Sequence, residues 1–423
     1  MKPEPAATGL SPRKLVIAMV GLPARGKSYI ARKLARYLAW IGHPTKVFNV
    51  GSYRRALFGA GQPHGFFASD NQEGLAARTR VAQEALDDAC DYLRAEGSVA
   101  IYDATNTTRV RRATIAERVR REGHDLIFIE SISDDASLVD ENILATKLGS
   151  PDYVNVDEEE ALRDFRARIE LYVRAYEPID EDAYSFIKLV DVGKEARLHR
   201  IDGYLPGRIV FFLLNIHITP RVIWLSRHGQ SLSNLRDRIG GDSALTTHGE
   251  QYARRLARFC EERAATLGPV SVWTSTLQRA IATARHAPFP TVTWKALDEI
   301  DAGVCDGMTY DEIQRTKPDE FAARAKDKLR YRYPRGESYV DVIERLDPVI
   351  IELERQRAPV MVVSHQAVLR CLYGYLMDRS PEVCPRLDVP LHTVIEVQPQ
   401  VTGADERRTF LGPPVDRPVH DGD

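Results

Sequence analysis

The chain lacks an excess of charge of either sign. Its 58 Lys and Arg residues against 60 Asp and Glu residues leave a formal net charge of -2 at pH 7. Proteins that bind nucleic acid through its phosphate backbone usually carry a clear basic excess. The composition therefore argues against a nucleic-acid partner.

Long hydrophobic runs are also missing. No run is longer than IVFFLL at 209–214, which is far short of the roughly 20 apolar residues of a membrane-spanning helix. The first 13 residues have no apolar stretch of the kind found in a secretory signal, and they predict a short disordered lead-in. We expect no membrane partner.

Cysteine is scarce and scattered. The five cysteines, at positions 90, 260, 305, 371 and 384, form no CxxC pair and are odd in number. This pattern predicts neither a structural zinc site nor a disulfide framework, and it favours a reducing, cytoplasmic location.

What the sequence does contain is two successive α/β patterns, and 423 residues are too many for one ordinary core. Apolar strands alternate with amphipathic helices, which predicts two α/β domains, each with a mainly parallel sheet flanked by helices. In the first pattern, strands are predicted at 14–20, 45–50, 98–103 and 125–131, and helices at 28–42, 75–97 and 110–123. In the second, strands are predicted at 221–226, 270–275 and 359–364, and helices at 247–267 and 278–287.

The boundary between the two domains is predicted near Pro220, after a segment (204–220) in which the chain crosses to the next unit. This gives a first domain over 14–219 and a second over 220–399. The remaining residues, 400–423, are rich in proline, glycine and charge and predict a disordered tail.

The segment GLPARGKS at 21–28 follows the first strand and precedes the first helix. It matches GxxxxGK[ST], in which glycines let backbone N–H groups surround phosphate oxygens at a helix N-terminus. In that motif Lys27 neutralises the outer phosphates and Ser28 ligates Mg²⁺. The alternative is a structural glycine turn, but the strand before this segment and the helix after it favour a nucleoside triphosphate site.

Further polar residues follow the next strands. Asp103 ends a predicted strand, where a carboxylate can contact Mg²⁺ or accept a proton, although it could instead cap the following helix. Arg54 and Arg55 follow an earlier strand, and the group TRVRR lies at 108–112. Loops at the carboxyl ends of parallel strands converge, so these arginines predict a site for a phosphorylated substrate, whereas Arg118, Arg120 and Arg121 fit a solvated helix face better.

The second pattern contains LSRHGQS at 225–231, directly after an apolar strand. His228 could simply be a polar residue that closes the strand. Arg227 beside it offers a phosphate clamp, and Gly229 allows close backbone approach, as a phosphoryl-accepting histidine requires. Three further residues fit as partners: Arg279 and His365 after other strands, and Glu299 as a carboxyl that protonates a leaving oxygen.

On these motifs the first half resembles the P-loop kinases, and the second resembles the histidine phosphatase (phosphoglycerate mutase-like) superfamily. From about Lys14 to Pro399 the whole chain resembles the bifunctional 6-phosphofructo-2-kinase/fructose-2,6-bisphosphatase family. The motifs that carry this resemblance are GLPARGKSYI, KVFNVGSYRR, DATNTTRVRR, KLGSPDY, RIVFFLLNIHITPR, SRHGQS, IGGDS, DEIDAGVC, YRYPRGESY and SHQAVLRC.

The resemblance implies synthesis of fructose 2,6-bisphosphate from fructose 6-phosphate and MgATP in the first domain, with no organic cofactor. Catalysis would involve Lys27, Asp103 and Lys147. The residues implied for ATP are Gly21, Leu22, Pro23, Ala24, Arg25, Gly26, Lys27, Ser28, Tyr29, Asn142 and Lys147, with Ser28 and Asp103 for Mg²⁺. Those implied for fructose 6-phosphate are Arg54, Arg55, Arg78, Thr105, Arg111, Lys147, Arg168 and Tyr172.

For the second domain the resemblance implies hydrolysis of fructose 2,6-bisphosphate, which regulates glycolysis and gluconeogenesis. His228 would be the phosphohistidine nucleophile and Glu299 the proton donor and acceptor, while Arg227, Arg279 and His365 hold the phosphoryl group. The residues implied for the rest of the sugar bisphosphate are Asn234, Gly240, Tyr310, Arg324, Lys328, Tyr339, Gln366 and Arg370. The resemblance also implies a homodimer.

Alternatives remain at this point. One centre could be silent, or the second domain could act on another phosphate ester as a phosphoglycerate mutase does. A non-catalytic scaffold that only senses metabolites is disfavoured because Lys27, Asp103, His228, Glu299 and His365 are all present. The balance of the two activities and the role of Gln230 are not predicted by the sequence.

Overall fold

The computed structural model of the protein describes residues 13–68, 70–133, 139–140, 142–144, 151–153, 156–191, 194–217, 221–400 and 403–412. The chain divides into two compact units, residues 1–218 and 219–423, one residue before the predicted boundary. Of the predicted lead-in, only Arg13 is among the described residues. No helix in the described ranges combines the length and apolar character needed to cross a membrane.

The first unit is built on a six-stranded sheet. Its strands are β1 (Leu15–Val20), β2 (Thr45–Asn49), β3 (Val99–Asp103), β4 (Asp125–Ile132), β5 (Ser185–Val190) and β6 (Glu195–His199). The order across the sheet is β2-β3-β1-β4-β5-β6, and every neighbouring pair is parallel except β5 with β6. The central strand β1 is buried along its whole length, as expected for a sheet covered on both faces.

The helices of this unit include α1 (Lys27–Trp40), α2 (Val50–Phe58), α3 (Gln72–Ala95), α4 (Arg109–Arg121), α5 (Glu158–Arg174) and α6 (Tyr204–Asn215). The segment interpreted as a crossing to the next domain is therefore mostly helix α6, which belongs to the first unit. It packs on α1, where the rings of Tyr37 and Phe212 stack with centroids 4.3 Å apart. This aromatic contact explains why so apolar a helix is stable there.

The second unit also contains a six-stranded sheet. Its strands are β7 (Ile223–Arg227), β8 (Ser271–Thr274), β9 (Thr291–Thr293), β10 (Val360–Ser364), β11 (Thr393–Pro399) and β12 (Ala404–Phe410), in the order β12-β11-β7-β10-β8-β9. The pairs β7–β10, β10–β8 and β8–β9 are parallel, whereas β11 and β12 join in antiparallel fashion. The carboxyl ends of β7, β8 and β10 thus share one edge of the sheet.

The helices of the second unit are α7 (Leu232–Leu235), α8 (Thr247–Leu267), α9 (Gln278–Ala284), α10 (Tyr310–Thr316), α11 (Pro318–Lys326), α12 (Tyr339–Arg345), α13 (Asp347–Arg355) and α14 (Gln366–Leu376). Helix α14 is buried at all but its first residue. It starts directly after β10, so its N-terminus lies at the same sheet edge as the residues that follow β7 and β8.

The tail prediction was wrong over Ala404–Phe410. These residues form β12, which pairs with β11 over its whole length, from Thr393 opposite Phe410 to Pro399 opposite Ala404. Because β12 is an edge strand with mostly exposed side chains, its sequence needs no alternating apolar pattern. The composition of this segment was therefore typical of a disordered tail. Residues 413–423 lie outside the described part of the chain.

Candidate active sites

The loop between β1 and α1 has a conformation that its glycines make possible. Gly21 adopts a φ of 132°, and a Cβ there would lie 2.4 Å from the carbonyl oxygen of Ser131. Gly26 has a φ of 74° and caps α1. A side chain at either position would be strained, so this conformation of the loop requires glycine at both positions.

Several residues predicted for ATP lie on or against this loop. Lys27 is buried, and its Nζ donates to the carbonyl oxygen of Leu22 at 2.5 Å, which places the ammonium over the loop. Asn142 Nδ2 donates to the carbonyl oxygen of Ala24 at 3.3 Å. Lys147 lies outside the described residues.

Asp103 lies beside the phosphate loop, at the carboxyl end of β3. It is 3% exposed, and its Oδ2 accepts a hydrogen bond from Asn49 Nδ2 at 2.5 Å. The next residues join the two loops, since Gly21 N–H donates to the carbonyl oxygen of Thr105 at 2.9 Å. Helix α4 is capped by Thr108 and not by Asp103, so the capping interpretation of Asp103 was wrong.

A cluster of arginines surrounds the buried ring of Phe67. The Cζ atoms of Arg168, Arg54 and Arg78 lie 3.4, 5.4 and 6.0 Å from the ring centroid. The ring of Tyr172 lies 6.3 Å from it. Four residues predicted for fructose 6-phosphate therefore meet at one aromatic side chain, and we call Phe67, Arg54, Arg78, Arg168 and Tyr172 the arginine cluster.

This cluster is electrostatically suited to an anion. Burial and the neighbouring charge of Arg168 lower the pKa of Arg54, and burial is the main cause that lowers the pKa of Arg78. Asp152 partly offsets the charge, with carboxylate contacts of 2.5 Å to Arg54 and 3.5 Å to Arg55. A phosphate ester with its double charge would relieve the remaining repulsion.

The other predicted sugar-phosphate residues have different partners. Arg111 Nη2 donates to the hydroxyl of Tyr102 on β3 at 2.8 Å. Its neighbour Arg112, which the sequence grouped with the arginines predicted for a phosphorylated substrate, is fully buried and donates to the carbonyl oxygens of Asn106 and Glu177 at 3.3 and 2.9 Å. Arg112 therefore holds the loop after β3 in place, a role that a group of basic residues in the sequence does not reveal.

In the second unit, His228 follows β7 and is 4% exposed. Its Nδ1 lies 2.7 Å from the carbonyl oxygen of Gly229. A carbonyl oxygen can only accept, so Nδ1 carries the ring proton and Nε2 keeps its lone pair. Burial, followed by the charges of Arg279 and Arg227, holds the pKa of His228 well below its usual range, which keeps the ring neutral as a nucleophile requires.

Of the two arginines predicted to hold the phosphoryl group, Arg279 is buried and Arg227 is partly buried. Arg227 Nη1 donates to the carbonyl oxygen of Val389 at 3.2 Å, and Arg279 Nη1 to that of Gly241 at 2.5 Å. Burial lowers the pKa of Arg227 to about 10, against an opposing effect of Glu299. Two guanidinium groups in so dry a site are a ready-made phosphate clamp.

Glu299 and His365 complete this centre. Both Glu299 oxygens face the N-terminus of α14, where they accept hydrogen bonds from the backbone N–H groups of Gln366 and Ala367 at 3.1 Å each. The ring of His365 lies 5.1 Å from that of His228, centroid to centroid. All four predicted partners of His228 are therefore found together at the carboxyl edge of the sheet.

The residues predicted for the sugar fall into two groups. Arg324 Nη2 donates to the hydroxyl of Tyr310 at 2.9 Å, and Arg370 Nη1 to that of Tyr339 at 3.4 Å, so these pairs are suited to bind a second phosphate. By contrast, Asn234 Oδ1 accepts a hydrogen bond from the backbone N–H of Ser231 in the capping box of α7, Gly240 packs against Asp306, and Gln366 contributes its backbone N–H. Lys328 also interacts with another residue.

Gln230 has a structural role. Its backbone N–H donates to His392 Nε2 at 3.1 Å, and its Oε1 accepts from Thr246 Oγ1 at 2.9 Å. Thr246 in turn caps α8. Gln230 thus fixes the loop behind His228 to two other elements, and neither His392 nor Thr246 carried a sequence signal that pointed to this.

Comparison with known proteins gives two adjoining family matches. Residues 4–220 match the model for 6-phosphofructo-2-kinase, and residues 223–409 match branch 1 of the histidine phosphatase superfamily. The chain therefore contains a kinase domain and a phosphatase domain, and the predicted fold class is confirmed.

Relatives that match nearly all of this chain are also found. A 6-phosphofructo-2-kinase/fructose-2,6-bisphosphatase of Arabidopsis thaliana is 53% identical over 94% of this chain, which spans 54% of that relative's length. Relatives with this name from Gallus gallus and, as form 1, from Homo sapiens are each 50% identical over 94% of this chain and 84% of their own length. The chain belongs to the 6-phosphofructo-2-kinase/fructose-2,6-bisphosphatase family.

Proposed function

We propose that the protein makes fructose 2,6-bisphosphate in its first unit and hydrolyses it in its second. The observation that carries this proposal is that each unit contains both a group suited to phosphoryl transfer and arginines that can bind a phosphate. In the first unit the phosphate loop between β1 and α1 lies beside the loop that follows Asp103, and the arginine cluster is in the same unit. In the second, His228 is neutral and lies beside Arg227 and Arg279.

In the kinase reaction, residues 21–29 hold the phosphates of ATP and Asn142 closes on the loop. The 2-hydroxyl oxygen of fructose 6-phosphate attacks the γ-phosphorus, its proton passes to Asp103, and the bond to ADP breaks. Lys27 and Lys147 offset the negative charge that develops, so positioning and electrostatics supply most of the catalysis. The arginine cluster binds the 6-phosphate and orients the sugar.

Mg²⁺ fits the donor atoms that are present. The hydroxyl of Ser28 and the carboxylate of Asp103 are hard oxygen ligands, which Mg²⁺ prefers alongside nucleotide phosphates. No group of three or more His, Cys, Asp or Glu side chains in the described ranges could hold a metal by itself, which supports delivery of the ion with ATP. Bound there, Mg²⁺ would neutralise charge on the transferring phosphate.

In the phosphatase reaction, His228 Nε2 attacks the 2-phosphate of fructose 2,6-bisphosphate. The bond to the sugar oxygen breaks, and Glu299 protonates that oxygen as it leaves. Glu299 then accepts a proton from water, which attacks the phosphohistidine and releases phosphate. Arg227, Arg279 and His365 bind the phosphoryl oxygens through both steps.

We extend the proposal to assembly and location. Within the described residues, β6 pairs only with β5, and Leu198 on it is 51% exposed. An edge strand presents unpaired backbone N–H and C=O groups with which a strand of a second chain can pair, which supports a homodimer through the first units. All five cysteines are free and buried, which supports a reducing, cytoplasmic location.

The experiment that tests the function is an assay of both reactions on one purified preparation. MgATP with fructose 6-phosphate should give fructose 2,6-bisphosphate, and fructose 2,6-bisphosphate should give fructose 6-phosphate and free phosphate. Parallel incubation with 3-phosphoglycerate separates the mutase alternative, which would produce an isomeric phosphoglycerate. Absence of either fructose reaction would overturn the corresponding half of the proposal.

A further inference from the structure

Ser275 is a buried serine next to the phosphatase centre to which the proposed reaction gives no role. It follows β8 and is 0% exposed. Its Oγ lies 2.7 Å from Nε2 of His365 and 3.2 Å from the backbone nitrogen of Leu277. It belongs to the segment TSTLQRA, from which only Arg279 is used in the mechanism.

These two neighbours determine where the serine proton points. The Leu277 N–H can only donate, so it occupies one lone pair of Oγ. His365 Nε2 is the remaining partner of Oγ among the described residues. If the serine donates to Nε2, both groups are satisfied and the ring proton of His365 must be on Nδ1. If Nε2–H donated instead, the buried serine hydroxyl would keep a proton without an acceptor, which is costly.

The other ring nitrogen of His365 is consistent with this arrangement. His365 Nδ1 is buried and has no hydrogen-bond partner in the part of the chain that the structure describes. A buried N–H without an acceptor is unusual unless a ligand supplies one. The ring lies 5.1 Å from that of His228, centroid to centroid, so a phosphoryl group on its way to His228 can supply the missing oxygen.

We propose that Ser275 is a positioning residue of the phosphatase, which fixes His365 as the Nδ1–H tautomer so that this N–H donates to the transferring phosphoryl group. Charge provides the reason why a tautomer matters here. Burial, followed by the charges of His228, Arg279 and Arg227, holds the pKa of His365 well below its usual range, so the ring has a single N–H to offer. If that proton sits on Nε2, Nδ1 presents a lone pair to a phosphoryl oxygen.

The first test compares three variants. Ser275→Ala should lower the phosphatase kcat by about 10- to 100-fold with little change in KM. This loss is smaller than the roughly 10⁴-fold loss caused by a wholly wrong histidine tautomer, because a ring without this partner populates both tautomers. Ser275→Thr keeps the hydroxyl and should restore most of the rate. The matched control is Thr274→Val, since Thr274 Oγ1 is equally buried and has no hydrogen-bond partner among the described residues; it should leave the phosphatase unchanged.

The kinase rate of the same preparations reports on folding of the remainder of the chain and should not change. If Ser275→Ala retains the wild-type kcat, or if Thr274→Val loses as much activity as Ser275→Ala, the inference is overturned. The inference rests on the proposed phosphatase, and the two fail differently. Wild-type protein that does not hydrolyse fructose 2,6-bisphosphate contradicts the function, whereas an active wild type with an equally active Ser275→Ala contradicts only the role of Ser275.

A second measurement needs no variant at Ser275. Two-bond ¹H–¹⁵N NMR of histidine-labelled wild-type protein distinguishes a protonated from an unprotonated ring nitrogen, and His365→Gln identifies the resonance. We expect His365 to be protonated on Nδ1 and unprotonated on Nε2 at neutral pH. The opposite assignment overturns the inference even if Ser275→Ala does not fold.

Discussion

Replacing Phe67 by leucine tests whether the arginine cluster binds the sugar phosphate. The ring of Phe67 is 6% exposed, and the guanidinium carbon of Arg168 lies 3.4 Å from its centroid. Leucine fills most of the same space and stays apolar, but it has no π face for a cation. The change therefore removes the support of the guanidinium groups and leaves their charges in place.

The size of the effect follows from the contacts. A cation–π contact is worth about 0.5–1 kcal/mol when exposed and about 2 kcal/mol when desolvated, so about 2 kcal/mol is the upper bound for Arg168, which is partly buried against the buried ring. The contacts with Arg54 and Arg78, at 5.4 and 6.0 Å, add less. A loss of about 2 kcal/mol in substrate binding corresponds to a rise of roughly 30-fold in KM, because about 1.4 kcal/mol is tenfold.

The assay is steady-state kinetics of the kinase with each substrate varied in turn. We expect KM for fructose 6-phosphate to rise, while KM for ATP and the phosphatase rate stay at wild-type values. Phe66→Leu is the matched control, because its ring lies in edge contact with Phe67, at 5.2 Å, and no arginine contact with the Phe66 ring appears among the described residues. An unchanged KM for fructose 6-phosphate, or an equal rise for both substrates, would refute the reasoning.

Three other changes have distinct expected results. His228→Ala should abolish hydrolysis and the trapping of ³²P on the protein while the kinase rate is kept; loss of both activities in folded protein would contradict two separate centres. Lys27→Met should lower the kinase kcat by at least about 100-fold, since it removes a preorganised charge from the transition state, and hydrolysis should be unaffected in the same sample. Burial lowers the pKa of His392 from its ordinary value of 6.5 to about 4, so the unfolded state binds more protons between these values. The free energy of unfolding should therefore fall as the pH drops from 6.5 to 4. Urea titrations at several pH values should show that the unfolding free energy of His392→Gln depends less steeply on pH than that of the wild type; an equal dependence would exclude His392 as a cause.

Local patterns account for much of the phosphate chemistry. The P-loop could be predicted because its glycines, Lys27 and Ser28 are contiguous, and their backbone conformation depends on those residues themselves. His228 with Arg227 could be predicted for the same reason, since Arg227, His228 and Gly229 are contiguous and therefore lie together at the end of their strand. The alternation of buried strands and helices likewise determines an α/β fold, because each element must bury its apolar face.

Other features depend on residues far apart in the chain and carry no local pattern. Phe67 matters only because Arg54, Arg78 and Arg168 fold around it, and Ser275 only because its hydroxyl meets His365, 90 residues away. Strand β12 is stabilised by its pairing with β11, not by an apolar pattern of its own.

By itself, then, the sequence determined the two-domain α/β organisation, the glycine-rich loop before α1 and the position of His228 next to Arg227 at a strand end, all of which are encoded in contiguous segments. Only the tertiary structure decided which arginine packs against which ring, which tautomer His228 adopts, and what role Gln230 has. Each of these depends on a hydrogen bond or contact between separate elements, and a contact of that kind exists only once the sheet has brought their ends together.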